Sequence, residues 1–208
     1  MNFLRIFRFK TVLLAFLIFS YSITAETKKL LILGDSISAG YGIKESQNWV
    51  HLFNNSTDAE KMNLHMINSS VSGDTTIGGL SRIKNDLNQY NPDYVLIELG
   101  GNDALRGYPL NKIKNNLIKI VDASLKAKAV PLIMQIKIPP NYGQRYVEVF
   151  ENIYVEISNE KNIPLLTFLL EDIALNQNLM QLDGIHPNEK AQPIIVEQIK
   201  MELSKIIK

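Results

Sequence analysis

The chain has 208 residues, 46% of them hydrophobic, which is enough to bury one sizeable core without a second domain. Its 22 Lys and Arg residues nearly balance its 21 Asp and Glu residues, so no basic surface indicates nucleic-acid binding. It contains no cysteine, which excludes a disulfide framework, a thiolate metal site and a cysteine nucleophile.

The amino-terminal segment differs in character from the rest of the chain. Its first ten residues carry three basic residues and no acid, residues 11–19 are almost wholly apolar, and Ala25 ends a short stretch of small or polar residues. This order is typical of a secretory signal peptide. We therefore expect residues 1–25 to be a signal peptide cleaved near Ala25, with an uncleaved membrane anchor as the alternative. The product would be a single domain, 26–208, that is exported to the periplasm or secreted.

Strand and helix patterns alternate along this domain. Apolar runs predict strands at 30–33, 64–68, 94–99, 129–134 and 163–168. Apolar residues at helical spacing, with Pro and Asn as breaks, predict helices at 49–53, 76–90, 109–125, 144–161 and 188–207. Five buried strands that alternate with helices indicate an α/β fold of three layers, in which helices cover both faces of a parallel sheet.

The first predicted strand ends in Gly34 and Asp35, and Ser36 follows immediately. Ligands of open α/β sheets bind at the carboxyl ends of the strands, so Ser36 is well placed to act as a nucleophile. The alternative is that Ser36 only caps the helix that follows the strand.

Right-handed crossovers bring the carboxyl ends of all the parallel strands to one edge of the sheet. The loops that contain Ser36, Gly73 and Asn102 follow the first three strands, and the loop with His186 follows the fifth. Four segments that are distant in sequence are therefore expected to converge on one site.

A serine hydroxyl needs a neighbouring base before it becomes a good nucleophile. We interpret His51, on a predicted helix, and His65, within a predicted strand, as ordinary surface or half-buried histidines. His186 lies three residues after Asp183, a spacing that lets this carboxylate hold one imidazole nitrogen while the other faces Ser36. The alternative is that the Asp-Gly-Ile-His-Pro sequence merely forms a turn before the last helix.

The tetrahedral intermediate of acyl transfer also needs hydrogen-bond donors at its oxyanion. Candidates are the amide of Ser36, the amide of Gly73 and the side chain of Asn102. Taken alone, Gly73 could equally serve a tight turn, and Asn102 could bond its own backbone. The nearby acids Asp35, Asp74 and Asp103 are interpreted as residues that stabilise their own loops.

These residues form four ordered blocks that resemble those of the GDSL, or SGNH, hydrolase family. The blocks are Gly34-Asp35-Ser36-Ile37, Ser72-Gly73-Asp74, Gly100-Gly101-Asn102-Asp103 and Asp183-Gly184-Ile185-His186-Pro187. Ile37 replaces the family's leucine, which is a mild apolar exchange. Longer stretches resemble the exported bacterial thioesterase, lysophospholipase and arylesterase branch: 31–41, 101–107, 134–146 and 183–193.

The resemblance implies a role for each matching residue. Ser36 would be the nucleophile, His186 the base and Asp183 its partner, and Ser36, Gly73 and Asn102 would form the oxyanion hole. It also implies a flavodoxin-like sheet of order 2-1-3-4-5 and no metal or organic cofactor.

Residues near the predicted site are more apolar than charged, which favours an acyl chain or aromatic ring as the group that is bound. The predicted substrate-binding residues are Ile77, Leu105, Ile138, Pro139 and Tyr142. We therefore expect a monomeric serine esterase that acts on small acyl esters or thioesters, such as lysophospholipids or aryl esters. We expect no nucleic-acid partner and at most transient contact with a membrane surface. A carbohydrate O-acetyl esterase and a non-catalytic exported binding module are the alternatives.

Overall fold

The computed structural model of the protein describes residues 26–207, so the predicted signal peptide lies outside the described residues. This part of the chain forms a five-stranded parallel sheet of order β2-β1-β3-β4-β5, which confirms the predicted architecture. The strands are β1 (Lys28–Gly34), β2 (Leu64–Asn68), β3 (Tyr94–Glu98), β4 (Val130–Met134) and β5 (Leu165–Leu166).

Helices connect the strands and cover the sheet. Those of the described residues are α1 (Ser36–Ala39), α2 (Trp49–Asn54), α3 (Thr57–Met62), α4 (Thr76–Tyr90), α5 (Gly101–Leu105), α6 (Leu110–Lys126), α7 (Gln144–Lys161) and α8 (Gln192–Ile206). Between residues 26 and 207, no helix combines the length and the apolar character that a membrane crossing requires.

Strand β1 forms the centre of the hydrophobic core. It pairs with β2 on one side and β3 on the other, and residues 30–33 are fully buried. This explains why its sequence is a continuous apolar run rather than an alternating one, because helices pack on both of its faces. The helices contribute large buried side chains to the same core, among them Trp49, Phe53, Phe150 and Tyr154.

Several elements differ from the sequence-based prediction, among them α5, which lies where only a loop was expected. Helix α3 was not predicted, although Ser56 accepts a hydrogen bond from the Ala59 amide and caps its start. Strand β5 has two residues instead of six, since it pairs only with the end of β4 and the chain then leaves the sheet. The last helix begins at Gln192 rather than at residue 188, because Asn188 accepts a hydrogen bond from the Lys190 amide in a turn before it.

The outer edge of β2 is covered at its middle by one side chain. The Asn54 amide donates a hydrogen bond from Nδ2 to the carbonyl of Met66, and the Met66 N–H donates to Asn54 Oδ1, both at 2.8 Å. The side chain thus satisfies the same two groups that a neighbouring strand would satisfy.

Candidate active site

The loop after β1 places Ser36 at the carboxyl edge of the sheet, as the first residue of α1. Asp35 caps this short helix, because its Oδ1 accepts a hydrogen bond of 3.1 Å from the Ile37 amide. The preceding Gly34 packs directly against the side chain of Glu98 on β3, and a Cβ at residue 34 would collide with it. The glycine therefore makes room for the buried Glu98 carboxyl directly before the serine.

The structure brings Ser36 together with the two residues predicted to activate it. The Ser36 hydroxyl donates a hydrogen bond of 2.8 Å to His186 Nε2. The other ring nitrogen, Nδ1, donates a hydrogen bond of 2.7 Å to Asp183 Oδ2. The serine and the histidine are 150 residues apart in the sequence, so this contact depends on the fold and not on local structure.

The segment of Asp183 and His186 forms a compact turn. Asp183 Oδ1 accepts hydrogen bonds from the amides of Ile185, at 2.9 Å, and of His186, at 3.0 Å. Partial burial raises the pKa of Asp183, but the hydrogen bonds from the His186 side chain and from these two amides outweigh it and lower the pKa to about 2. The carboxylate is ionised at neutral pH and can only accept, so Nδ1 of the imidazole carries the proton and Nε2 faces the serine as an acceptor.

Gly73 and Asn102, the other predicted oxyanion donors, also lie on this edge. Gly73 occupies the left-handed region with φ of 79°, and its carbonyl accepts a hydrogen bond of 3.2 Å from Arg106. Asn102 is in the first turn of α5, and its Nδ2 donates a hydrogen bond of 3.0 Å to Asp35 Oδ2. Within residues 26–207, the main-chain N–H groups of Ser36 and Gly73 have no protein acceptor, so both are available to a ligand.

Three buried acids lie beneath these loops. Burial raises the pKa of Asp35 to about 6, and burial together with the Asp35 charge raises that of Glu98 well above its usual range. Burial also raises the pKa of Asp103. The prediction that each acid stabilises its own loop is incomplete, because Asp103 accepts hydrogen bonds from the N–H and hydroxyl of Thr76, on the neighbouring loop, at 2.8 and 2.6 Å.

The sequence patterns did not predict a role for Glu98 or the contact of Tyr41 with the imidazole. Glu98 is a charged residue within the apolar run of β3, and a lone acid in a buried parallel strand is itself a recognisable signal. The ring of Tyr41 packs on the ring of His186 with a centroid separation of 4.5 Å. Gln181 holds the loops that carry these rings together, since its Nε2 donates a 2.7 Å hydrogen bond to the Tyr41 carbonyl.

The residues predicted to bind substrate occupy several different environments. Ile77, on the first turn of α4, is 55% exposed, and Pro139 is also exposed. Tyr142 is 41% exposed and donates a hydrogen bond of 3.4 Å to the carbonyl of the half-buried Leu105, so the loops after β3 and β4 touch. Ile138 is buried in the core, which leaves little of its surface for a ligand.

The other two histidines lie apart from this site. His51 and His65 are exposed, and both line a surface cavity of about 820 Å³ beside the edge strand β2. None of the residues predicted for catalysis or substrate binding lines this cavity. In the part of the chain that the structure describes, no group of three or more His, Cys, Asp or Glu side chains is arranged to hold a metal ion.

Comparison with known proteins agrees with the resemblance noted in the sequence. Residues 32–193 match the model of the GDSL-like lipase/acylhydrolase family. The chain belongs to this family. It is 41% identical over 207 residues to thioesterase 1/protease 1/lysophospholipase L1 of Escherichia coli K12, which covers 100% of this chain and 98% of that protein.

Two further relatives of this GDSL-like hydrolase are also similar over most of its length. The arylesterase of Vibrio mimicus is 42% identical over 179 residues, which cover 86% of this chain and 90% of that one. The crystal structure of the psychrotrophic esterase EstA from Pseudoalteromonas has a TM-score of 0.84 and 44% identity, and covers 86% of this chain and 98% of that chain. Family membership identifies the chain as a hydrolase with an SGNH hydrolase fold.

Proposed function

We propose that this hydrolase cleaves acyl esters and thioesters through an acyl-enzyme on Ser36. The observation that carries the proposal is the continuous hydrogen-bonded chain from Ser36 Oγ through the His186 ring to Asp183, with links of 2.8 and 2.7 Å. This is the arrangement that a serine nucleophile, its general base and an orienting carboxylate require.

The first half of the reaction transfers the acyl group to the enzyme. His186 Nε2 takes the Ser36 proton while Oγ attacks the carbonyl carbon, and Asp183 stabilises the imidazolium that forms. The intermediate collapses when the bond to the leaving alcohol or thiol breaks, and His186 returns the proton to that group. A water molecule, deprotonated by the same imidazole, then attacks the acyl-enzyme and releases the acid and free Ser36.

The negative oxygen of each intermediate would bind to the N–H groups of Ser36 and Gly73 and to the Asn102 side chain. The two main-chain groups have no acceptor among the described residues, and Asn102 lies on the same edge through its contact with Asp35. Donors of this kind typically contribute about 10²–10³ each to turnover, because they are held in place before the charge develops.

The surroundings of Ser36 support an acyl group as the part of the substrate that is bound. Tyr41, Ile77 and Tyr142 expose apolar or aromatic surface at the carboxyl edge of the sheet, and Leu105 is half-buried beside Tyr142. An acyl chain would gain roughly 25 cal/mol for each Å² of apolar surface that it buries there. The relatives named thioesterase, lysophospholipase and arylesterase agree with this choice of substrate class.

A chain-length series with a nucleophile variant tests the proposal. Turnover of p-nitrophenyl esters from acetate to palmitate, and of acyl-coenzyme A thioesters, is measured for the wild type and for Ser36→Ala. We expect faster turnover of butyrate and longer esters than of acetate by the wild type, and loss of hydrolysis and of fluorophosphonate labelling in Ser36→Ala. Ser72→Ala, which removes an exposed hydroxyl from the Gly73 loop, is the matched control and should behave as the wild type.

The results of this series also distinguish the alternative functions. Strong preference for acetate, with activity on acetylated sugars, would favour a carbohydrate O-acetyl esterase. Failure of the wild type to react with any ester or with the fluorophosphonate would favour a non-catalytic binding module. Hydrolysis by Ser36→Ala at the wild-type rate would show that the nucleophile is wrong.

We also propose export to the periplasm or to the medium after cleavage near Ala25. The basic and apolar order of residues 1–25 supports this location. The exported domain would be a monomer that meets membranes at most transiently. Amino-terminal sequencing of the protein from a periplasmic fraction, sedimentation equilibrium and co-sedimentation with lipid vesicles test these three points. A mature chain that begins at Met1, a stable dimer or tight vesicle binding would contradict the corresponding one.

A further inference from the structure

The contact between Asn102 and Asp35 joins two loops of the proposed site. Asn102 Nδ2 donates a hydrogen bond of 3.0 Å to Asp35 Oδ2, while Asp35 Oδ1 accepts one of 3.1 Å from the Ile37 amide. Asp35 is 6% exposed, so the bridge is largely shielded from water. We propose that Asp35 is a positioning residue for Asn102: its carboxylate binds one N–H of the amide and keeps the other N–H directed at the oxyanion. This inference rests on the proposed function.

The chemical need for such a residue follows from the shape of an asparagine side chain. Its NH₂ and C=O ends occupy nearly the same space, and rotation of the terminal amide exchanges them. Only the NH₂ end stabilises an oxyanion, whereas the carbonyl end would repel it. An ionised carboxylate accepts hydrogen bonds and donates none, so its presence beside Asn102 favours the orientation in which Nδ2 faces the site.

Capping of α1 does not by itself account for a carboxylate at residue 35. Asparagine and serine cap helices about as well as aspartate, and neither carries a charge that must be buried. Here the charge is buried next to the second buried acid, Glu98, whose Oε2 accepts a hydrogen bond of 3.3 Å from the Asp35 amide. A carboxylate can accept hydrogen bonds from Ile37 and Asn102 with separate oxygen atoms. This explains why Asp is used at residue 35 despite the cost of burying its charge.

A second acid fixes the backbone of the same segment. Asp103 accepts the N–H and the hydroxyl of Thr76 at the start of α4, and Asn116 donates a hydrogen bond of 3.0 Å to that hydroxyl. The start of α5 is therefore held in place without Asp35. What remains for Asp35 to determine is the orientation of the Asn102 amide.

A double-mutant cycle tests whether Asp35 acts through Asn102. kcat and KM for p-nitrophenyl butyrate are measured for the wild type, Asp35→Asn, Asn102→Ala and the double variant. Asn at residue 35 can still cap Ile37 but has only one acceptor atom. We expect Asn102→Ala to lower kcat about 10²–10³-fold and Asp35→Asn to lower it roughly 10–100-fold with KM nearly unchanged, because only the donor orientation is lost. The double variant should be no more than about 3-fold slower than Asn102→Ala.

Two outcomes of the cycle would overturn the inference. The first is a wild-type kcat in Asp35→Asn. The second is an equal loss from Asp35→Asn with and without the Asn102 amide, which would mean that Asp35 acts on Ser36 or on the fold. Asp35→Ser, which keeps a capping hydroxyl but cannot bridge to residue 102, should reproduce the loss in kcat and protects the test against a folding defect in Asp35→Asn.

A measurement that does not depend on turnover separates this inference from the proposed function. In ¹H–¹⁵N spectra, the two side-chain amide protons of Asn102, assigned by their loss in Asn102→Ala, should be widely separated, with the carboxylate-bound proton downfield. This separation should shrink in Asp35→Asn. A narrow separation in the wild type would overturn the inference even if the enzyme is active. Absence of both turnover and fluorophosphonate labelling would instead overturn the proposed function, and the spectra would still decide the role of Asp35.

Discussion

The two sides of the proposed catalytic centre are built in opposite ways. On the side of the serine and Asn102, the carboxyl groups of Asp35 and Glu98 are buried, and burial raises their pKa values. On the side of the histidine, the Asp183 side chain is 37% exposed and hydrogen bonds lower its pKa to about 2. The neighbouring Leu182 is fully exposed.

This comparison shows how one residue type can perform two tasks. A buried carboxyl with few donors is destabilised when it ionises, so it must be supported by the surrounding fold. A carboxylate that accepts one imidazole and two main-chain N–H groups is stabilised by local structure alone. Substitutions on the histidine side should therefore affect mainly the chemistry, whereas those on the serine side should affect both chemistry and stability.

Among the variants that test this difference between the two sides, Asp183→Asn should have the largest effect on activity. An amide at residue 183 offers an N–H to the imidazole, which favours the tautomer that cannot accept the Ser36 proton. We expect kcat for p-nitrophenyl butyrate to fall by up to about 10⁴-fold, with a modest fall in the urea midpoint, because Asn keeps one oxygen for the N–H groups of Ile185 and His186. Asp172→Asn removes another exposed carboxylate from the segment before the last helix and is the control. A loss of less than 10-fold would mean that Asp183 does not orient the base.

A smaller effect is expected from Gly73→Ala, which changes the backbone rather than a side-chain contact. The nearest atom to a Cβ at residue 73 is an Arg106 nitrogen at 3.7 Å, so space is not the limit. The left-handed φ of 79° costs a non-glycine residue about 1–2 kcal/mol, and relief of this strain would displace the amide from the oxyanion. We expect kcat to fall roughly 10-fold or more. Gly143→Ala, at φ of 95° in open space, should also lose stability but keep its kcat.

The buried acids predict a distinct dependence of stability on pH. The unfolded Asp35 carboxyl ionises near 3.8, whereas the folded one keeps its proton up to about 6, so the free energy of unfolding should fall as pH rises through this interval. The loss for Asp35 is on the order of 3 kcal/mol. The raised pKa of Glu98 acts in the same direction. Asp183 has the opposite sign: its contribution is lost only as the pH falls from about 4 towards about 2.

Urea unfolding of the wild type and of Glu98→Gln from pH 4 to pH 8 checks this expectation. The wild type should lose stability with rising pH, and the neutral isostere should give a flatter profile. Equal slopes for the two proteins would show that Glu98 does not have a raised pKa.

The smallest effect is expected at the aromatic ring beside the base. Tyr41 packs on His186 but is 53% exposed, so its removal should weaken the orientation of the imidazole without disturbing the core. Aromatic pairs of this kind are worth about 0.5–1.5 kcal/mol, which corresponds to a roughly 2- to 10-fold lower kcat in Tyr41→Ala. Tyr41→Phe keeps the ring and should stay close to the wild type. Equal losses in both variants would assign the effect to the hydroxyl.

The sequence predicts the overall fold better than the connections between loops. The apolar run of β1 indicates a strand buried on both faces, and the apolar spacing of α4 and α7 indicates helices buried on one face. These elements can therefore be predicted from their own residues. The length of the two-residue strand β5 cannot be predicted in this way, since it depends on where β4 ends and not on the residues of β5. The hydrogen bonds between Asp103 and Thr76 could not be predicted for the same reason, because they depend on how two separate loops pack together.

The candidate site shows this limit at individual residues. The five-residue motif of Asp183 and His186 is local, so its hydrogen bonds follow from spacing alone. Asp35 and Asn102 are 67 residues apart, and their contact depends on the register of β1 against β3. Sequence can suggest the atoms that do chemistry, but the groups that orient them are set by tertiary packing.

The Asn54 side chain that occupies the free edge of β2 has a consequence for how the protein behaves at high concentration. A second molecule that approached this edge to extend the sheet would have to break both hydrogen bonds to Met66 before it could pair with the middle of the strand. The Asn54 carboxamide therefore hinders aggregation through pairing of β2 with a strand of another molecule. A hydrophobic residue at position 54 would leave the Met66 N–H and carbonyl open to such pairing, without changing the catalytic groups.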